Sequence, residues 1–282
     1  MITDNETNFL WLADLLPKKF PEFYKRFEKL LIESKVEFNL LPGTKDIWAV
    51  DYMPIQISKD KLVQFIYNPD YLQSRKWRKT ISDTYTICKS INVKTSKSDI
   101  VIDGGNVIRA YDKVIMCEKV FSENPDFNKR ELIENLESLF EIDKIIFIPV
   151  YPKDICGHAD GLIRFIDSKT VLINESPINE TKNEIEFGIN LRSILQKENL
   201  DYYELVSNYS NNQNDFQANG LYINYLQMEG VIIVPAYGMK EDESAIKSIE
   251  KIFIRSKIES IDCNEIANQG GVLNCISWNI LK

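Results

Sequence analysis

His158 is the only histidine in the chain, and it stands in Gly157-His158-Ala159-Asp160. Cys275 follows a paired-glycine turn in Gly270-Gly271-Val272-Leu273-Asn274-Cys275. Imidazole moves protons near neutral pH and a thiolate is a strong nucleophile, so these two with a carboxylate suffice for covalent thiolate chemistry. Three acids mark further turns. Asp51 lies in Trp48-Ala49-Val50-Asp51-Tyr52-Met53-Pro54, Asp103 opens Asp103-Gly104-Gly105-Asn106, and Asp160 follows His158 by two residues. In an extended segment, residues two apart share a face, which predicts His158 and Asp160 side by side. The same spacing makes Cys156 a rival nucleophile that it cannot dismiss. Each feature also has a plain structural reading. Asp at a strand end is a turn former, Gly-Gly supplies a tight hairpin, and an isolated cysteine is commonly an inert buried thiol. Cys88, Cys117 and Cys263 are expected to be that. The case for chemistry is collective.

More than two hundred residues separate Asp51 from Cys275, so the fold must bring them together. Apolar spacing predicts an amphipathic helix over residues 20–34 and a strand over 36–41. Short β-rich runs then alternate with helical ones. The order β-β-α-β appears across 107–150, again across 162–206, and again across 221–261. Recurrence of one supersecondary unit predicts a closed, pseudo-symmetric α/β assembly in which loops of successive units converge. No linker or low-complexity segment interrupts it, and one domain over 1–282 is expected. The polar stretch 208–219 is the candidate for a mobile loop, a lid over the site.

A net charge of −8 argues against a nucleic-acid partner and is compatible with a cationic ligand. The start of the chain lacks the basic and apolar stretches of a signal peptide, and no apolar run is long enough for a membrane span. Five cysteines, odd in number and without a C-x-x-C pair, together with one histidine make structural zinc improbable. The expectation is a cytoplasmic protein with reduced thiols.

The motifs resemble those of the agmatine deiminase and bacterial peptidyl-arginine deiminase group of the guanidine-modifying superfamily. The 48–54 segment resembles W-x-R-D-x-G-P, the 103–106 segment D/E-G-G-N, and the 157–160 segment G-H-x-D. Tyr222-Ile223-Asn224-Tyr225 with Val231-Ile232-Ile233-Val234-Pro235 is similar to S-Y-x-N-F…V-I-V-P, and the 270–277 segment to G-G-x-x-H-C-x-T. Five motifs in family order span about residues 46 to 278. The last favours Cys275 over Cys156. The resemblance implies a five-unit α/β propeller (the pentein fold) of ββαβ modules. The region before Trp48 is shorter than in typical members, so the first unit is expected to be abbreviated.

The resemblance also implies roles. Asp51 and Asp160 clamp a guanidinium, whose planar donors suit carboxylates. Cys275 attacks its carbon, and His158 protonates the leaving ammonia and then activates water. Trp48 walls the aliphatic arm, Asn224 contacts substrate or supports the Cys275 loop, and Asp103 is a substrate contact or a structural cap. No metal or organic cofactor is implied. The partner is a small-molecule or peptide guanidinium substrate, and a homo-oligomer is an expectation, since related enzymes form closed assemblies. Val50, Met53, Leu221 and Asn274 stand where the family has Arg, Gly, Ser and often His, which leaves the substrate's distal end open. Arg75, Lys76 and Arg78 could receive a carboxylate there or form a solvated surface run. Hydrolysis is the leading reading, with amidinotransfer and non-catalytic guanidinium binding as alternatives.

Overall fold

Phe23, Phe27 and Leu31 recur at four-residue intervals and form the buried stripe of the helix Pro21–Glu33. Leu132, Leu136 and Phe140 repeat the pattern in Lys129–Phe140. In this computed structural model, which describes residues 1–176, 180–208 and 216–282, each such stripe is answered by a small sheet. Among the described residues there are five three-stranded sheets. In each, the central strand pairs antiparallel with one neighbour and parallel with the other. A parallel pair needs a crossover, and a helix supplies it. Four modules are contiguous, over residues 55–101, 108–148, 163–205 and 226–262.

The fifth joins the two ends of the described chain. Ser277–Ile280 pairs antiparallel with Phe9–Ala13, with Phe9 opposite Ile280. Phe9–Ala13 then runs parallel to Glu37–Leu41, with Pro21–Glu33 between them. The expected abbreviation of the first unit is therefore corrected, because this module has all its strands and its helix. Phe9–Ala13 is buried along its whole length, so it lacks the polar alternation that marks a strand in sequence.

Module packing closes the ring. Ile87 and Cys88 of the 55–101 helix pack on Phe9, Trp11 and Trp278 of the end-joining sheet. Leu132 and Leu136 pack on Val63 and Ile100, and Leu191 and Leu195 on Ile115 and Ile146. Ala245 and Ile249 share a cluster with Leu172 and Leu205, and Phe23 and Phe27 with Ile232 and Ile233. Each helix thus covers the sheet of the module before it.

The first strand of every module carries one polar side chain at an equivalent place: Gln56, Arg109, Arg164, Gln227 and Asn279. Three of them, Arg109, Arg164 and Asn279, are tied in by hydrogen bonds and ion pairs. Arg164 donates to the Tyr225 carbonyl at 3.1 Å and to Asp4 at 2.7 Å, and Asn279 donates to the Gln227 carbonyl at 3.2 Å. Arg109 also pairs with Asp4. The 208–219 stretch expected to be a lid lies largely outside the described residues. No helix of the described residues is long and apolar enough to cross a membrane.

Candidate active site

The segment leading into the first strand of each module carries a site residue. Asp51 sits in the helical turn Ala49–Tyr52 before Ile55–Ser58, and Asp103 precedes the turn Gly104–Asn106 before Ile108–Arg109. His158 and Asp160 flank and occupy the turn Ala159–Gly161 before Ile163–Phe165. Asn224 precedes Leu226–Met228, and Cys275 precedes Ser277–Ile280. Two sequence expectations change here. Residues 221–225, read as the opening strand of the 221–261 unit, lie in turns, and Cys275 lies in the turn before Ser277–Ile280. His158 and Asp160 do not share a face, because a 3-10 turn begins between them and rotates Asp160 away.

That rotation divides the site into two halves. On one side, His158 Nδ1 lies 3.6 Å from Asp51 Oδ1, and Nε2 lies 3.0 Å from Asp103 Oδ2. Tyr71 donates its hydroxyl to the same Asp103 oxygen at 3.1 Å, and the Gly105 N–H donates to Asp51 at 3.1 Å. On the other side, Asp160 Oδ2 accepts from Asn274 Nδ2 at 2.8 Å and from Asn224 Nδ2 at 3.0 Å. The Cys275 sulfur lies 3.6 Å from that oxygen and 3.4 Å from Asn224 Oδ1. Asn224 Oδ1 also accepts the backbone N–H groups of Asn274 and Cys275, at 3.1 and 3.4 Å.

The halves face one another across a cavity of about 510 Å³ lined by Trp48, Asp51, His158, Asp160, Asn224 and Cys275. Asp103 is absent from this wall; it stands behind His158, almost fully buried. Cys156 is on the wall, and spacing had left it a rival. The sulfur that touches Asp160 and Asn224 is that of Cys275. Gly271 makes room for this arrangement: a Cβ there would come 2.5 Å from the Trp48 ring and 3.0 Å from Cys275 Cβ.

Charge is concentrated and largely out of water. Burial lifts the Asp51 carboxyl to about 7; Asp103 and Asp160 add to the rise, and His158 opposes it. Burial works against the imidazolium of His158. The carboxylate of Asp51 and the hydrogen bond and charge of Asp103 outweigh it and raise His158 to about 10. Burial, then the charges of Asp160 and Asp51, hold the Cys275 thiol well above the ordinary cysteine range. At neutral pH these charges favour a protonated imidazole and a neutral thiol.

Much of the rest of the wall is aromatic, with further acids among aliphatic and amide side chains. Tyr67, Tyr71, Trp77 and Tyr151 line it with Asp46 and Asp154. Among the described residues, Lys153 is the lysine on this wall, and it pairs with Glu184 at 3.1 Å. Arg75, Lys76 and Arg78 are exposed and off the wall, as the solvated reading expects. Of the four departures from the motif, only Leu221 faces this cavity. Val50, Met53 and Asn274 line a separate void of about 30 Å³, together with Asp4, Arg109 and Arg164. Sequence reasoning missed Tyr71, which no motif marks. It also missed Asp154, whose carboxylate caps the His158 loop by accepting the N–H groups of Cys156 and His158 at 2.8 and 2.9 Å. The Pro152-Lys153-Asp154 run before Gly157 was the available turn signal. Among the described residues, no group of three or more His, Cys, Asp or Glu side chains is arranged to hold a metal ion.

The profile of a family described as Porphyromonas-type peptidyl-arginine deiminase matches residues 16–280. A putative agmatine deiminase of Mycoplasma mycoides subsp. mycoides is 22% identical over 230 residues, covering 71% of this chain and 63% of the relative. The chain thus spans less than two thirds of that relative's length. The solved structure of an agmatine deiminase from C. jejuni superposes with a TM-score of 0.82 at 22% identity, covering 100% of this chain and 95% of that one. An amidinotransferase from Microseira wollei is more distant, with a TM-score of 0.61 at 14% identity, covering 99% and 95%. These structural likenesses establish the pentein-type α/β propeller.

Proposed function

Because the chain belongs to the Porphyromonas-type peptidyl-arginine deiminase family, we propose that it hydrolyses a guanidinium group to a ureido product and ammonia through a covalent thiouronium on Cys275. The observation that carries this reading is the two-sided site: Cys275 held against Asp160 and Asn224, with His158 held between Asp51 and Asp103. A planar cation fits between two carboxylates, Asp51 and Asp160, which accept its N–H groups and aim its carbon at the sulfur.

The electrostatics supply a sequence of steps. The same carboxylates that bind the cation keep the thiol protonated in its absence. A bound guanidinium offsets their charge, so thiolate forms once substrate is in place and its proton leaves to solvent. Sulfur adds to the guanidinium carbon and gives a tetrahedral adduct. His158, already protonated, gives its proton to the departing nitrogen, the C–N bond breaks, and ammonia leaves behind a thiouronium. The neutral imidazole then takes a proton from water as the hydroxyl adds to the same carbon. Collapse breaks the C–S bond, releases the urea and restores the thiol and imidazolium. In this scheme Asp103 orients His158 and does not contact substrate, and Asn224 supports the Cys275 loop and Asp160.

Agmatine, named in the relatives, suits the remainder of the wall. Trp48 can flank an aliphatic arm, and Asp46 and Asp154 favour an amine end over a carboxylate. With agmatine the ureido product keeps the putrescine skeleton, so the reaction would lead towards putrescine. An acidic net charge and free cysteines support a cytoplasmic enzyme, one domain over 1–282, that binds neither nucleic acid nor membrane. A homo-oligomer is part of the same reading. The deciding experiment measures ammonia release from agmatine, arginine, methylated arginines and short arginine peptides, with Cys275→Ala alongside. Turnover of agmatine that the variant lacks is expected. Undiminished turnover by Cys275→Ala sinks the covalent mechanism, and ureide formation only with an added amine acceptor would instead indicate amidinotransfer.

A further inference from the structure

Behind His158, on the side away from the cavity, lies a buried ion pair that the chemistry above does not use. Lys119 and Glu123 open and close the short helix Lys119–Glu123, and their side chains are only 7% and 6% exposed. Their charged atoms are 3.2 Å apart, and Asp70 lies 3.0 Å from the Lys119 nitrogen on the other side. The Lys119 ammonium also sits 4.5 Å from the centre of the Tyr71 ring, whose hydroxyl holds Asp103. Its remaining contact goes to the His158 loop itself: Lys119 Nζ donates to the Cys156 carbonyl at 2.6 Å.

We propose that Lys119 is a positioning residue for His158, threading the 154–158 loop from beneath and fixing the imidazole against Asp103. It rests on the deiminase reading for its kinetic consequence, but not for its structural one. Three independent features carry it. The loop closes round the lysine stem: Gly157 has φ +65°, and a Cβ there would come 2.7 Å from Lys119 Cδ, so the residue next to His158 is bare where the stem passes. Asp154 holds the loop's N–H groups from one side and Lys119 holds its carbonyl from the other. Finally, Asp103 Oδ1 is buried without a hydrogen-bond donor among the described residues, and the Lys119 charge acts on that carboxylate in addition to the imidazole of His158.

Asp51, Asp103 and Asp160 face His158; Asp70, Glu123 and Asp103 face Lys119. Burial, then Asp103, raises Glu123 to about 7 against the pull of Lys119, so this layer is strained for charge and sensitive to loss of that lysine. Removing the lysine leaves the Cys156 carbonyl unpaired and two carboxylates unopposed, and the loop carrying His158 relaxes.

A single histidine makes the test direct, because imidazole NMR of the intact protein reads His158 and nothing else. In Lys119→Met, removal of the cation by itself would raise the His158 titration, so the expected fall from about 10 by roughly one unit or more reads the loss of the His158–Asp103 contact. With agmatine, kcat is expected to fall on the order of tenfold or more while KM stays within about twofold, since Asp51 and Asp160 are untouched. Lys119→Gln, which keeps a polar stem but falls short of the Cys156 carbonyl, is expected to show the same displacement in milder form and serves if the Met variant does not fold. A folded variant with His158 titrating at or above the wild-type value overturns the proposal, even if its melting temperature is lower. A rise in KM at constant kcat overturns it as well. If no guanidinium compound is turned over by the wild type but His158 still shifts in Lys119→Met, the deiminase reading fails and the positioning role stands.

Discussion

At the scale of single residues, the site is a set of charges held close together, which the proposed guanidinium would offset. Cys275 is held as a thiol by burial and by Asp160 and Asp51. Asp160→Asn is therefore expected to make Cys275 easier to alkylate at pH 8, read by mass spectrometry of the labelled peptide. The same change should cost guanidinium turnover about a hundredfold or more, because a bidentate partner is lost. Unchanged alkylation would show that Asp160 does not govern the thiol. Asp51 gives a second prediction, with a sign that can be worked out. Its carboxyl rises to about 7 in the folded protein from an ordinary 3.8. Stability tied to a raised acid is present below the unfolded value and lost as pH climbs through the folded one. Asp51→Asn should thus match wild type near pH 4 and exceed it above pH 7, by about 1 kcal/mol or more, or roughly 2–4 °C per kcal/mol in melting temperature. A variant less stable than wild type at pH 8 would contradict this account of the cluster.

At the scale of elements, short turns do the positioning. Cys275 is not a strand residue; it sits where a turn passes under Trp48, and the bare Cα of Gly271 is what allows the approach. Gly271→Ala is expected to lower kcat/KM by about tenfold or more with little loss of fold, since a misplacement of about 1 Å is costly to aligned chemistry. Equal kinetics in that variant would mean the Trp48 contact is soft. The helices behave differently. Leu136 is fully buried between two modules, and Leu136→Ala should cost about 2–5 kcal/mol in denaturant unfolding. Turnover per folded molecule should be unchanged, because that helix carries no site residue.

At the scale of the whole molecule, five modules close a ring by packing each helix on the preceding sheet. The end-joining module is the clasp. Removing residues 277–282 deletes an inner strand that pairs with Phe9–Ala13 and takes away Trp278, whose indole donates to the Pro54 carbonyl at 2.7 Å. The truncated chain is expected to lose cooperative unfolding in circular dichroism. A sharp, near-native transition would show that the ring does not depend on its clasp.

The motifs, their order and the three contiguous modules were legible in the chain because each is local: a turn signal, an apolar spacing, a nucleophile beside paired glycines. Asp51, His158, Asp160 and Cys275 could be named as candidates for the same reason. The 55–101 module was not traced, since its helix Thr84–Ser90 is seven residues long and follows a run of exposed turns. The end-joining module could not appear as a repeat, because its strands lie at opposite ends of the described chain. Nor could spacing say that Asp103 stands behind His158, that Lys119 passes beneath the same loop, that Val50 and Met53 turn away from the cavity, or that Asn274 backs Asp160 without lining it. Local sequence sets which groups exist and which turns hold them. Which face each one meets depends on a 3-10 turn between His158 and Asp160 and on sheets from different modules meeting at a common centre, and those relations exist only once the ring has closed.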